Sequence, residues 1–177
     1  MSSSKGITIR ERYEAACESY DELYRAEQYE KYYVALRKVK PHGVVLDAGC
    51  GTALLAEFLR GWGLIDEVEA YICLDYSGCM LRIASWKLGV LCSGNCYMVM
   101  GDVERLPLRD NVADVAYAFT VLDLLEDPLR GLEELSRVTR GSVVVSVLKT
   151  LGLKDKLIEM GFKILGVTSK DVIFKVK

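Results

Sequence analysis

Histidine is nearly absent: His42 is the only one, and it stands beside Pro41 ahead of the first apolar run. Neither close pair of cysteines, Cys73 with Cys79 or Cys92 with Cys96, has a histidine neighbour. The ligand spacing of a zinc site is therefore missing, and no metal is expected. An excess of positive charge is absent too, since 23 Lys and Arg face 25 Asp and Glu. That excludes a general basic surface for gripping phosphate backbones; nucleic acid is not indicated, although a local patch stays open. No uninterrupted apolar stretch reaches the roughly 20 residues of a bilayer span. The opening MSSSKGITIRER has no apolar core of a signal peptide. A soluble, cytoplasmic protein without a membrane partner is the expectation.

Side-chain amides are scarce, with only Gln28, Asn95 and Asn111, while Glu, Lys, Arg, Val and Leu are plentiful. Such a composition leans thermophilic. The six cysteines, Cys17, Cys50, Cys73, Cys79, Cys92 and Cys96, are scattered rather than spaced as a framework. They read as buried thiols of a reducing cytosol, with the intracellular disulfides of thermophiles as the exception to that rule.

What is present is a hydrophobic half, 51% of 177 residues, enough for one compact domain. From Arg10 to Lys40 the chain is charged and tyrosine-rich. Tyr13, Ala16, Cys17, Tyr20 and Tyr24 recur at helical spacing, as do Tyr29, Tyr33 and Leu36. One or two amphipathic helices closed by Pro41 are expected, with Tyr29, Tyr32 and Tyr33 packed against the domain. This makes residues 1–41 a helical cap and 42–177 the main domain.

Beyond Pro41 strands and helices alternate. Strands are expected at Val44–Leu46, EVEAYICLD, CYMVMGD, VADVAYAFT and GSVVVSVLK, followed by a hairpin within FKILGVTSKDVIFKVK. Helices are expected from about Ala53 to Arg60, in GCMLRIASWKLG capped by Ser77, in DPLRGLEELSRVTR with Pro128 in its first turn, and in KDKLIEM. The first, second, third and fifth strands are near-continuous apolar runs, as in parallel strands covered on both faces. The fold class is α/β, a doubly wound Rossmann-like sandwich with a mostly parallel, seven-stranded sheet and an antiparallel last strand. Ligands of such sheets bind beyond the carboxyl ends of the strands.

Chemistry-bearing residues fall at those ends. In VVLDAGCGTALLAEFLRG, Gly49 and Gly51 follow strand one, where a missing Cβ lets a ligand approach the main chain and a helix start adds free N–H groups. A nicotinamide-binding turn wants G-x-G-x-x-G, and its last position here is Leu54. The carboxylate of Asp47 suits a ligand with an amine or a positive charge. Strand two ends in Asp75, placed to accept from both hydroxyls of a ribose. Strand three ends in Gly101-Asp102-Val103, where Asp102 could accept from an adenine amino group.

VLDAGCGTALL, ICLDYSGCML, GDVERLPL and DVAYAFTVLDLLEDPLRGLEELSRV together resemble the successive motifs of class I S-adenosylmethionine-dependent methyltransferases, in particular the small type 11-like subgroup. The resemblance runs from about Tyr13 to Ser146. It implies S-adenosyl-L-methionine as cofactor, with Gly49, Cys50 and Gly51 along its methionine part and Asp47 near its amino group. It further implies Asp75 at the ribose, Asp102 and Val103 at the adenine, and Met80 packed nearby. Tyr13 and Tyr20 match aromatic positions of the leading helices, and Tyr76, Gly101 and Phe119 complete the expected cofactor-binding set. Ala53 departs from the commonest pattern, which has glycine there.

The acceptor belongs after strand four, in AFTVLDLL, where many small-molecule members carry histidines and this chain has Asp123 and Leu124. The Asn-Pro-Pro-Tyr motif for exocyclic base or amide nitrogens is also missing. Phe119, Thr120 and Asp123 are the acceptor-side candidates. The acceptor itself, a small metabolite or a protein or RNA side group, stays open. Two other readings remain: a non-catalytic S-adenosylmethionine-binding regulatory subunit, and a nicotinamide-dependent oxidoreductase, which Leu54 and Asp47 disfavour.

Overall fold

The computed structural model describes residues 14–177; the part of the leading segment that includes Tyr13 lies outside the described residues. A helical stretch over 14–16 runs into a tight turn at Cys17–Ser19, and α1 follows at Tyr20–Leu36. Then come β1 (Val44–Ala48), α2 (Leu54–Gly61), β2 (Ala70–Asp75), α3 (Gly78–Leu91), β3 (Cys96–Met100) and β4 (Ala113–Phe119). The chain continues through α4 (Pro128–Val138), β5 (Thr139–Leu148), α5 (Leu153–Glu159), β6 (Lys163–Val167) and β7 (Asp171–Lys175).

The seven strands form one sheet in the order 3-2-1-4-5-7-6. β1 pairs parallel with β2 and β4, and β7 runs antiparallel to both β5 and β6. The order reverses between β1 and β4, so the carboxyl ends of those strands open a crevice at the switch point.

Alternation along the strands divides the core. Val45, Tyr71, Val115 and Val144 pack with Tyr32, Leu36, Leu55, Phe58, Leu59 and Leu88 on one face. Leu46, Ile72, Ala116 and Val143 pack with Leu132, Leu135, Val138 and Leu157 on the other. Caps fix where helices begin: the Met80 N–H donates to Ser77 Oγ at 3.1 Å. At α4, Asp127 accepts from the N–H groups of Leu129 and Arg130 while Pro128 fills the first turn.

Two expectations are corrected. β3 is not covered on both faces: it is the outermost strand, and Tyr97, Met98 and Met100 are exposed. Its apolar run resembles a central strand, but the winding order leaves it at the edge. The cysteines are not free thiols either. Cys17 pairs with Cys79, Cys50 with Cys73 and Cys92 with Cys96. Folding brings their Cα atoms to 6.1, 5.4 and 6.0 Å, the separation a disulfide requires. No helix among the described residues is long and apolar enough to cross a membrane.

Candidate functional site

The turn after β1 climbs through three left-handed residues: Gly49 at φ 72°, Gly51 at φ 53° and Ala53 at φ 63°. The last explains why glycine suits that position, since alanine adopts this region only at a cost. A Cβ on Gly49 would stand 2.3 Å from Val121 Cγ2, whereas one on Gly51 would meet only the Tyr20 ring at 3.8 Å. Gly51 is thus the open side of the turn, roofed by an aromatic ring.

β2 holds this turn in place. The N–H groups of Gly49 and Cys50 donate to the Leu74 carbonyl at 2.7 and 3.0 Å. The Gly51 N–H donates to Asp75 Oδ2 and the Ser77 N–H to Asp75 Oδ1, both at 2.8 Å. Burial raises the Asp75 carboxyl above its ordinary range, and the main-chain bonds from Ser77 and Gly51 oppose that rise.

A cavity of about 720 Å³ lies over these strand ends, within the roughly 300–1,000 Å³ typical of small-molecule sites. Its lining takes in Tyr20, Gly49, Gly51, Asp75, Tyr76 and Met80, then Gly101, Asp102 and Val103 from the β3 end, and Phe119 and Thr120 from the β4 end. These eleven expected residues meet at one place. Asp102 folds its own loop, accepting at Oδ1 from the Glu104 N–H at 3.0 Å.

Three expected residues stand elsewhere. Asp47 is 3% exposed beneath the turn, where its carboxylate accepts from the Tyr71 hydroxyl, and burial pushes its carboxyl up to about 7. Cys50 is turned inward to its bond with Cys73. Asp123 points to β5, accepting from the Leu148 N–H at 2.8 Å, and burial raises its carboxyl as well.

The lining also holds Glu14, Ser77, Gly78, Met100, Val121, Leu124 and Leu125. The last three lie in the stretch expected to face the acceptor, and Ser77 was legible as a helix cap. Glu14 had no signal in the sequence: it accepts from the Ser77 hydroxyl and, at 3.1 Å, from the Cys79 N–H. Among the described residues the lining has three carboxylates, Glu14, Asp75 and Asp102, and no Lys, Arg or His.

The residues fit an adenosyl sulfonium. The cradle at Gly51 leaves room for a ligand against the main chain, Asp75 presents a carboxylate to the cavity, and the surplus of carboxylates favours a cation. Beyond that end the walls turn apolar, with Phe119, Val121, Leu124 and Leu125.

Comparison with known proteins agrees. The family model for the methyltransferase domain matches residues 46–146. A malonyl-[acyl-carrier protein] O-methyltransferase from Marinomonas sp. is 31% identical over 146 residues, 79% of this chain and 51% of that protein. A demethylmenaquinone methyltransferase from Bacillus cereus is 27% identical over 156 residues, 85% of this chain and 65% of that protein. The chain spans about half to two thirds of the length of these curated relatives. In the crystal structure of a SAM-dependent methyltransferase from Aquifex aeolicus the same fold recurs at a TM-score of 0.70 and 20% identity, covering 92% of this chain and 96% of that one. A class I sheet, the cradle at its switch point and the matched domain lead to one conclusion: the chain belongs to the methyltransferase domain family, whose type 11-like members use S-adenosylmethionine.

Proposed function

We propose that this protein transfers the methyl group of S-adenosylmethionine to a small acceptor with an apolar body and no negative charge. The observation that carries the reading is the make-up of the cavity wall: carboxylates from the leading segment and the β2 and β3 ends, open glycine backbone at the β1 end, and the apolar side chains Phe119, Val121, Leu124 and Leu125 from the β4 end onward.

The cofactor supplies an activated methyl group and its own leaving group, so the protein's work is alignment and exclusion of water. Asp75 accepts from the ribose hydroxyls while it anchors Gly51. Asp102 and the Val103 main chain meet the adenine, with Met80 packed beside it. Tyr20 covers the Gly51 cradle, and residues 14–20 act as a cap over this end. Phe119 and Thr120 stand between the two halves of the cavity. Asp47 acts from beneath, holding the turn through Tyr71.

Of the two acceptors in the relatives' names, the cavity favours a ring like demethylmenaquinone over a malonyl group. A malonyl carboxylate would enter an apolar wall, Phe119, Val121, Leu124 and Leu125, in a lining without Lys, Arg or His to pair it. The thermophilic composition and the three disulfides together support a heat-stable intracellular protein.

Incubation with methyl-labelled S-adenosylmethionine and a cell extract tests the reading. Label is expected in material that partitions into organic solvent. Binding of S-adenosylhomocysteine with no labelled product would favour the regulatory module instead, and label confined to precipitated macromolecules would overturn the acceptor class.

A further inference from the structure

Behind Thr120 lies a group of charges that cofactor binding does not use. Lys31, at mid-helix in α1, is 0% exposed, and so is Asp171 at the start of β7. The Lys31 ammonium donates to Thr120 Oγ1 at 2.5 Å and to Glu27 Oε1 at 2.9 Å, and lies 3.3 Å from Asp171 Oδ2. The Thr120 hydroxyl donates to Asp171 Oδ2 at 3.3 Å, and the buried Ser146 hydroxyl donates to the same oxygen at 2.8 Å. Asp171 Oδ1 is buried with no hydrogen-bond partner among the described residues.

Thr120 is itself held in an unusual shape. Its φ is 58°, a region that a β-branched residue occupies only at a cost. The Ser146 hydroxyl accepts from the Thr120 N–H at 2.9 Å, which fixes that shape. Threonine therefore lines the cavity with its hydroxyl backed by an ammonium and a carboxylate. A buried cation between two carboxylates is costly where only stability is at stake, and the Thr120 hydroxyl is aimed at Asp171 Oδ2, the oxygen that Ser146 and Lys31 also meet.

We propose that Thr120 and Asp171 form a proton relay for a hydroxyl acceptor, with Lys31 and Ser146 as positioning residues. The inference rests on the methyl-transfer reading and narrows its substrate to an alcohol or phenol on an apolar ring or chain. Because the Lys31 ammonium donates to Thr120 Oγ1, the threonine proton is directed to Asp171, and the remaining lone pair of Oγ1 is left to receive the acceptor hydroxyl. As the acceptor oxygen forms its bond to the methyl carbon, the carbon–sulfur bond breaks and its electron pair stays on sulfur. The acceptor proton passes to Thr120 Oγ1 and the threonine proton to Asp171. The positive charge of the sulfonium and the negative charge of Asp171 disappear together. The reverse path through Thr120 returns the proton to water once product leaves.

The test uses 2-naphthol and 2-naphthalenethiol as acceptor probes with labelled S-adenosylmethionine. A thiol already ionised at pH 8 has no proton to pass on. General acid–base help is worth roughly 100- to 10,000-fold, so Thr120→Val and Asp171→Asn are each expected to lower the ratio of naphthol to thiol transfer at least ~100-fold. Thr120→Ser is expected to restore it. A second measurement needs no turnover: in the protein saturated with S-adenosylhomocysteine, 2-naphthol is expected to bind more tightly than naphthalene, and Thr120→Val to erase the difference. Melting curves and S-adenosylhomocysteine affinity identify variants that have merely misfolded, and Thr120→Ser serves as the folded control. An unchanged ratio, or equal binding of naphthol and naphthalene by the unaltered protein, would overturn the relay. No transfer to naphthol by a protein that binds S-adenosylhomocysteine would overturn it too. Failure to bind S-adenosylhomocysteine would instead overturn the cofactor reading beneath it.

Discussion

Asp75 accepts the Gly51 N–H at 2.8 Å, so the carboxylate that ends β2 also sets the height of the glycine turn that follows β1. One side chain thereby shapes the cradle and, in the function proposed above, presents the oxygens that a ribose would reach. Charge-assisted hydrogen bonds contribute about 1.5–3 kcal/mol each. Asp75→Ala is therefore expected to weaken S-adenosylhomocysteine affinity by about 10- to 100-fold or more, as read by calorimetry. A fully retained affinity would count against this placement.

Gly49 is bound by shape rather than by charge. Its φ of 72° and the 2.3 Å approach of Val121 Cγ2 to a Cβ there both oppose a side chain. Gly49→Ala is expected to destabilise the fold by about 1–3 kcal/mol in urea. Adding Val121→Ala should recover the steric part and leave the backbone part, so the two substitutions will not add.

Asp47 predicts an unusual pH dependence. Its folded pKa, about 7, lies above the ordinary carboxyl value because of burial. Below about pH 4 the group is protonated in both states and costs nothing. As pH rises from there to 7 the unfolded chain releases a proton that the fold retains, and stability is lost at up to about 1.4 kcal/mol per unit. Asp47→Asn keeps an acceptor for Tyr71 and removes the titration. It is expected to melt higher than the unaltered protein at pH 8, with the gap closing near pH 4.

Much of this arrangement is legible in the sequence because it is local. The glycine turn, Asp75 and Asp102 at strand ends, Ser77 as a cap and Pro128 after Asp127 are each fixed by neighbours a few positions away. What escapes is set by long-range order. Tyr97, Met98 and Met100 have a central strand's composition and lie at an edge only because β3 is wound last on that side. Lys31 looks like one more charge on a solvated helix until β7 brings Asp171 beneath it. Asp123 lies in the stretch expected to face the acceptor, yet the Leu148 N–H turns it toward β5. The partners of Cys17 and Cys50 are decided by which elements α3 and β2 meet, which spacing does not reveal.

The Cys17–Cys79 bond closes a loop of 62 residues and ties the leading segment to the start of α3, next to Glu14 at the cavity wall. Loop closure on this scale constrains the unfolded chain by about 4 kcal/mol in the chain-entropy account, with 2–4 typical of measured bonds. Cys17→Ser is expected to lower stability by that order under oxidising conditions, and under full reduction the variant and the unaltered protein should converge.

The central claim is that the acid-tipped edge of the sheet receives an adenosyl sulfonium. Calorimetric titration of S-adenosylhomocysteine into the purified protein, with NADH in a parallel cell, tests it most directly. The account predicts saturable one-to-one binding of S-adenosylhomocysteine, none of NADH, and a sharp weakening in Asp75→Ala. No heat from S-adenosylhomocysteine, or equal binding of NADH, would contradict it.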